Sequence, residues 1–166
     1  MPAGGWNAKL ARSNYMPFLV FSQANKEPPV EAVLVQKGRS FFRVELEFLR
    51  RQLAEGGWGV FHVRLTLPGR SGAEFSLVRR PAWEEDWRAA EEAERAGQAA
   101  GMAALARRCS VVWEIEEHPA YLGEILTLCG ILASTELGPV MPPDRSTLYG
   151  VRGARLRAEH FLQGAP

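Results

Sequence analysis

The sequence predicts a single α+β domain over residues 1–166, with an antiparallel or mixed sheet of about four to six strands packed by two main helices on one face. Three patterns indicate this fold class. Apolar and polar residues alternate between residues 58 and 80, as in a β-hairpin. Residues 82–108 begin with acidic residues and end with basic ones, as in a long helix. Residues 119–133 are apolar on nearly every side, as in a buried helix.

The composition is that of one globular domain. The chain has 166 residues, of which 46% are hydrophobic and 23% are charged. Its net charge of +1 gives no long-range field that would attract the whole molecule to nucleic acid or to an anionic membrane. The longest uncharged runs, residues 13–25 and 125–135, are shorter than the roughly 20 apolar residues of a membrane helix. We therefore expect no membrane partner.

The chain begins with a segment that lacks periodicity. Residues 1–14 contain two adjacent glycines and predict a flexible arm. Residues 15–21 form an apolar patch that faintly resembles the core of a signal peptide, but a proline interrupts it. Residues 18–22 predict a short first strand, and the proline pair in residues 25–29 indicates the loop that closes it.

The next segment predicts a hairpin. Residues 30–36 are apolar and β-branched, and residues 37–39 have the composition of a turn. From Phe42 to Phe48, apolar residues alternate with charged ones, as in a half-buried strand. The alternative is a helix over residues 41–54, closed by two glycines. We favour a strand followed by one helical turn.

A second hairpin joins residues 58–67 to residues 73–80 through a turn-rich loop. Each strand places its large apolar residues on one face. The register that sets Leu67 opposite Ala73 brings these residues together across the pair. It is the register we expect.

The helix over residues 82–108 has clear ends. Pro81 suits the start of a helix, and the charges at both ends complement the helix dipole. Gly97 and Gly101 lie four residues apart and lower the stability of the helix. Their spacing indicates that another backbone comes close to this face.

The remaining elements follow from apolar patterning and turn residues. Residues 111–115 predict a strand, and residues 119–133 predict the buried second helix. Prolines and a glycine in residues 138–143 indicate a rigid loop. From Leu148 onwards we expect a short strand and then a helix that ends near Gly164.

Two cysteines are too few for a disulfide framework, and they lack the spacing of metal ligands. Cys109 lies at a predicted helix C-terminus, where the dipole opposes a thiolate, and Cys129 lies within an apolar helix. Both are expected to be buried structural thiols in a cytoplasmic protein.

Glu114, Glu116 and His118 form the sharpest candidate for catalysis. Alternation along a strand places them on one face, about 6 to 7 Å apart stepwise, which suits a divalent metal or acid–base chemistry. The alternative is a charged, solvated face of an edge strand, with His118 capping the helix that Pro119 begins. The sequence identifies neither a cofactor nor a metal.

A nucleic-acid interface would need arginine and aromatic side chains on one surface. The candidates on the second hairpin and in the C-terminal segment are Arg64, Arg79, Arg80, Tyr149, Arg152, Arg155 and Arg157. Acidic residues are interspersed on the hairpins, among them Glu45, Glu47 and Glu74, so paired surface charge is the favoured interpretation.

The function that we favour is that of a small binding or accessory domain that acts through protein–protein contacts and self-associates. Trp83 and Trp87 lie one helical turn apart at the start of a helix whose small residues, including Gly97 and Gly101, suit close approach. These four residues are the predicted interface. The first alternative is a small metal-dependent or acid–base enzyme using Glu114 and its neighbours, and the second is a nucleic-acid-binding domain.

Overall fold

The structure of the chain is a computed structural model that describes residues 16–23 and 31–164. The predicted flexible arm at residues 1–14 and the predicted loop at residues 25–29 lie outside the described residues.

Within the described residues, six strands form one sheet in the order β2-β3-β4-β5-β1-β6, and all neighbours pair antiparallel. The strands are β1 (Pro17–Ser22), β2 (Glu45–Leu53), β3 (Gly59–Thr66), β4 (Ala73–Pro81), β5 (Val111–Glu116) and β6 (Val140–Met141). The helices are α1 (Glu31–Lys37), α2 (Glu84–Gly97), α3 (Met102–Arg107), α4 (Leu122–Glu136) and α5 (Val151–Gly164). A π-helical turn, Gly38–Phe42, continues directly from α1. The predicted α+β fold with an antiparallel sheet is confirmed.

Both faces of the sheet are covered by helices. Along β1, Phe18 and Val20 belong to the core beneath α1, α4 and α5, whereas Leu19 and Phe21 belong to the core beneath α2 and α3. We call these sides the α4 face and the α2 face. The two main helices were expected on one face of the sheet, but they lie on opposite faces. Because all four residues of this run are apolar, β1 requires cover on both sides.

The β3–β4 hairpin has the predicted faces but a different register. Leu65 pairs with Ala73, whereas Leu67 was expected opposite that residue. Leu67 instead accepts a hydrogen bond from the backbone of Arg70 in the connecting loop. A shift of two residues keeps every side chain on its face, so alternation alone does not distinguish the two registers.

The first predicted hairpin is wrong in its first strand. Residues Glu31–Lys37 form α1, which buries Leu34 against the core and leaves Val33 48% exposed. Packing of this one leucine thus overrides the β-propensity of the valines around it. The strand favoured over the helix for residues 41–54 is confirmed at Glu45–Leu53. Phe42, where the strand was predicted to begin, lies in the π-helical turn, and the expected helical turn comes only after the strand, at Glu55–Gly57.

The helix predicted over residues 82–108 is broken into α2 and α3. Gln98 and Gly101 both adopt left-handed backbone conformations, with φ of 53° and 89°. The Glu94 carboxylate, in the last turn of α2, accepts a hydrogen bond of 3.0 Å from the backbone N–H of Ala103. A side chain of α2 thereby satisfies the free N-terminus of α3 and stabilises the break.

The second predicted helix and the C-terminal helix are confirmed as α4 and α5. Gly130 of α4 allows the ring of Phe42 to pack against the helix, because an added Cβ atom would lie 2.8 Å from that ring. The predicted strand near Leu148 is a single bridge between Tyr149 and Val140. β6 lies within the segment that was expected to be a loop.

Candidate functional site

The predicted catalytic residues differ in their surroundings. Glu114 is buried on the α2 face and accepts a hydrogen bond from Arg80 Nε. Glu116 and His118 are exposed, and the His118 ring packs 4.8 Å from the ring of Tyr121. Among the described residues, no group of three His, Cys, Asp or Glu side chains is arranged to hold a metal ion. Catalysis by the three residues stays a prediction.

Glu114 belongs to a buried ionic cluster centred on Arg80. The Arg80 guanidinium donates to both carboxylate oxygens of Asp86, at 2.8 and 3.0 Å, and stacks 3.7 Å from the ring of Trp83. Asp86 also accepts a 2.7 Å hydrogen bond from the Trp83 backbone, which caps α2. Burial lowers the pKa of Arg80, but Asp86 and Glu114 outweigh this effect and hold the pKa above its ordinary value. The cluster joins the start of α2 to β4 and β5.

The predicted interface tryptophans have partners within the chain. Trp83 packs against Trp58, with ring centroids 6.1 Å apart, in addition to the contact with Arg80. Trp87 is half-buried, and its indole N–H donates to the Cys109 carbonyl at 3.3 Å. Both side chains therefore stabilise the attachment of α2 to the sheet.

The small residues of α2 also serve packing within the chain. The alanines of its inner face are buried against the sheet: Ala89, Ala90 and Ala93. A Cβ atom added to Gly97 would lie 2.8 Å from the Cα atom of Thr147, so the predicted close approach of a backbone is confirmed there. At Gly101 an added Cβ would meet nothing within 4 Å, and the residue instead supplies a left-handed conformation.

The predicted nucleic-acid residues are distributed over separate parts of the fold. Arg64 lies between Glu47 and Glu74, at 3.6 and 3.3 Å, as expected of paired surface charge. Arg79 is buried on the α4 face, 5.8 Å from the Trp113 ring, and Arg80 is buried on the α2 face.

The other four candidates lie in or next to α5. Tyr149 is buried, with the guanidinium of Arg157 over its ring at 3.8 Å. Tyr149 is therefore covered rather than available to stack on a base. Arg152, Arg155 and Arg157 are exposed on the helix.

Both cysteine thiols are free and buried. Burial raises the pKa of Cys109 to about 11 and also raises the pKa of Cys129. A raised pKa keeps a thiol protonated at neutral pH, which agrees with the predicted structural role.

A cleft that the sequence analysis missed lies between the π-helical turn, the β3–β4 loop and α5. It has a volume of about 630 Å³, and Phe41, Arg43, Pro68 and Leu162 are among the residues that line it. We call it the Phe41 cleft. Phe41 is 51% exposed, whereas the adjacent Phe42 is buried. The π-helical turn sends these neighbours in different directions.

The electrostatics of the Phe41 cleft favour anions. Lys37 Nζ lies 4.7 Å from the Phe41 ring centroid, and the Arg155 guanidinium lies 5.9 Å from it. Arg155 pairs with Glu159 at 3.0 Å. Arg43 forms no side-chain hydrogen bond or ion pair with any residue in the described ranges. Three positive side chains and one negative side chain thus surround the cleft.

A second groove follows the other side of α5. It has a volume of about 510 Å³ and lies between Leu126 of α4 and Leu156, His160 and Phe161 of α5. Leu156 is 54% exposed. We use the term α5 surface for the two grooves and the helix between them.

The sequence contained one signal for the α5 surface. The apolar stripe of α5 includes Ala154, Ala158 and Leu162, and Leu156 lies off this stripe. Its position on the polar side of an amphipathic helix predicts that Leu156 is exposed.

Comparison of the chain with protein-family models, with curated proteins and with solved structures gives no match. None of the helices in the described part of the chain has both the length and the apolar character that crossing a membrane requires.

Proposed function

We propose that the protein is a binding domain that acts through contacts with another protein, and that the α5 surface holds the partner. One observation carries this proposal: Phe41 and Leu156 are more than half exposed, and each lies beside a groove on the same helix. Exposed apolar patches mark sites of protein contact, and aromatic and arginine side chains are enriched in protein interfaces.

The charge of the α5 surface favours a partner of different chemistry over a second copy of the chain. In a twofold dimer the same patch would face itself, so Lys37, Arg43 and the α5 arginines would oppose one another. Self-association through Trp83, Trp87, Gly97 and Gly101 stays a prediction. Light scattering over a wide concentration range tests it separately.

The cytoplasm is the compartment that we propose. Two free, buried thiols suit a reducing environment. In that setting the partner is an intracellular protein.

Selection from a displayed library of random peptides tests the proposal. Peptides enriched on the full chain are measured by fluorescence anisotropy against the wild type, Phe41→Ser and Leu156→Ser. We expect each substitution to weaken binding by about tenfold or more, as for interface hot spots. Leu137→Ser is the matched control, because Leu137 is 57% exposed but lines neither groove.

Two results would contradict the proposal. The first is that no peptide is enriched above background on the folded chain. The second is that enriched peptides bind both α5-surface variants as tightly as the wild type. Thermal unfolding of each variant shows whether a loss of binding reflects a loss of fold.

A further inference from the structure

We infer that the Phe41 cleft recognises an acidic–hydrophobic protein segment, in which Arg43 binds a carboxylate and the cleft takes the apolar side chain next to it. This inference rests on the proposed function and names the chemistry of the partner.

The backbone of Arg43 is fixed before any ligand binds. Its backbone has the left-handed values φ 56° and ψ 41°, and its backbone N–H donates to the Gly38 carbonyl. A non-glycine residue in this conformation costs free energy, and such residues occur often at binding sites. The arrangement directs an arginine without a partner among the described residues to the rim of a cleft.

Arginine is suited to this task. Its planar guanidinium matches a carboxylate with two parallel hydrogen bonds. The other arginine of the cleft, Arg155, already pairs with Glu159. Arg43 therefore carries the charge that is available to a ligand, and Lys37 adds to the positive potential near Phe41.

Apolar residues form the other part of the cleft. Five of the nine lining residues are apolar, namely Phe41, Phe42, Pro68, Ala158 and Leu162. A volume of about 630 Å³ is sufficient for one or two side chains of a peptide. An anion without an apolar group would leave this lining in contact with water. A ligand that combines a carboxylate with an aromatic or bulky aliphatic group satisfies both parts.

Glu159 disfavours nucleic acid more than a segment with one carboxylate. It also lines the cleft, so a run of several phosphates passing Arg43 would bring more negative charge close to it than a single carboxylate would. Tyr149, the aromatic residue that was predicted to stack on a base, is buried.

Backbone amide NMR of the full chain tests the inference with three matched probes: phenylpropanoate, the neutral phenylpropanamide and the cationic phenylpropylamine. We expect phenylpropanoate to shift the amides of Phe41, Arg43 and Arg155 and to bind about tenfold more tightly than phenylpropanamide. Arg43→Gln should reduce the affinity for phenylpropanoate to that for phenylpropanamide. Arg39→Gln is the control, because Arg39 is exposed and pairs with Glu45 at 3.1 Å.

Equal binding of phenylpropanoate and phenylpropanamide, no shifts with phenylpropanoate at millimolar concentration, or full binding by a folded Arg43→Gln variant would overturn the inference. So would a short single-stranded oligonucleotide that displaces phenylpropanoate and binds more tightly than an acidic peptide.

The outcomes separate the two proposals. In one outcome, the selected peptides need Leu156 for binding, carry no acidic residues and bind Arg43→Gln as tightly as the wild type. This outcome would support protein binding and refute the specificity for an anionic segment. Phenylpropanoate binding that requires Arg43, without enrichment of any peptide, would refute the protein partner in both proposals and leave only the recognition of a carboxylate joined to an apolar group.

Discussion

The arginine and large apolar side chains of the α2 face are paired within the chain, whereas those of the α5 surface are exposed. On the α2 face, Arg80 and the tryptophans beside it bind partners within the chain. On the α5 surface, Phe41 and Leu156 extend into solvent, and Arg43 has no partner among the described residues. Arginine and aromatic residues are available to bind a partner only where the fold leaves them exposed and unpaired.

The largest expected effect tests the internal role of the α2 face. Arg80→Met would leave Asp86 and Glu114 buried without their cation, and breaking a buried ion pair costs about 3 to 5 kcal/mol. Arg88→Met is the control, because Arg88 is exposed and its pair with Glu84 contributes about 0 to 1 kcal/mol. Urea denaturation measures both. Equal costs for the two variants would show that the buried cluster does not join α2 to the sheet.

Two adjacent phenylalanines test the α5 surface in the same way. Phe42→Ala should destabilise the fold by about 3 to 5 kcal/mol, because the ring is buried against Gly130. Phe41→Ala should change the free energy of unfolding by no more than about 0.5 kcal/mol, because the ring is half exposed. Chemical denaturation of both variants measures the difference. A large loss of stability in Phe41→Ala would mean that Phe41 belongs to the core rather than to a binding surface.

The parts of the fold that the sequence predicts correctly are those with a local cause. Alternation fixes the faces of β3 and β4, and continuous apolar character identifies α4 as a buried helix. Alternation does not determine the register of β3 against β4, because a shift of two residues leaves every side chain on the same face. The unbroken apolar run of β1 contained the information that both faces are covered, but the strand's partners are far away in sequence.

The Phe41 cleft has no comparable local cause. Its residues come from the π-helical turn, from the loop at Pro68 and from α5, which lie far apart along the chain. Phe41 and Phe42 are adjacent residues of the same type, so local sequence does not distinguish them. Phe42 is buried because it packs on α4, and Phe41 is left exposed. The interface was predicted at Trp83 and Trp87 because their contacts within the chain, with Trp58 and with the Cys109 carbonyl, are not visible in the local pattern. Self-association through these residues stays a prediction.

A smaller effect sharpens the interpretation of the α2 glycines. Gly97→Ala would place a Cβ atom 2.2 Å from Thr147 Oγ1, and overpacking of this kind costs about 1 to 3 kcal/mol. The cost should fall in a Thr147→Gly background, which removes the nearest side-chain atoms. Gly101→Ala is the control, since its cost arises from a φ of 89° and should be the same in both backgrounds. Denaturation of the wild type, the three single variants and the two double variants checks this. An undiminished cost for Gly97→Ala would show that the contact with Thr147 does not cause it.

The smallest effect concerns the exposed contact between α2 and α3. Arg107 donates a 2.7 Å hydrogen bond to Glu91, and this bond lowers the pKa of Glu91 below its ordinary value. A carboxylate with a lowered pKa in the folded state stabilises the fold above its unfolded pKa, and this contribution disappears as the pH falls through the folded pKa. Glu91→Gln should therefore lower the urea midpoint slightly at neutral pH and not at all in acid. Glu92→Gln, at an exposed position one residue further along, is the control. Glu91 lies at the surface, whereas Asp86 is buried, so the loss of stability in Glu91→Gln should be much smaller than that in Arg80→Met. A pH-dependent loss of equal size would mean that the exposed ion pair, rather than the buried cluster, holds the helices of the α2 face in place.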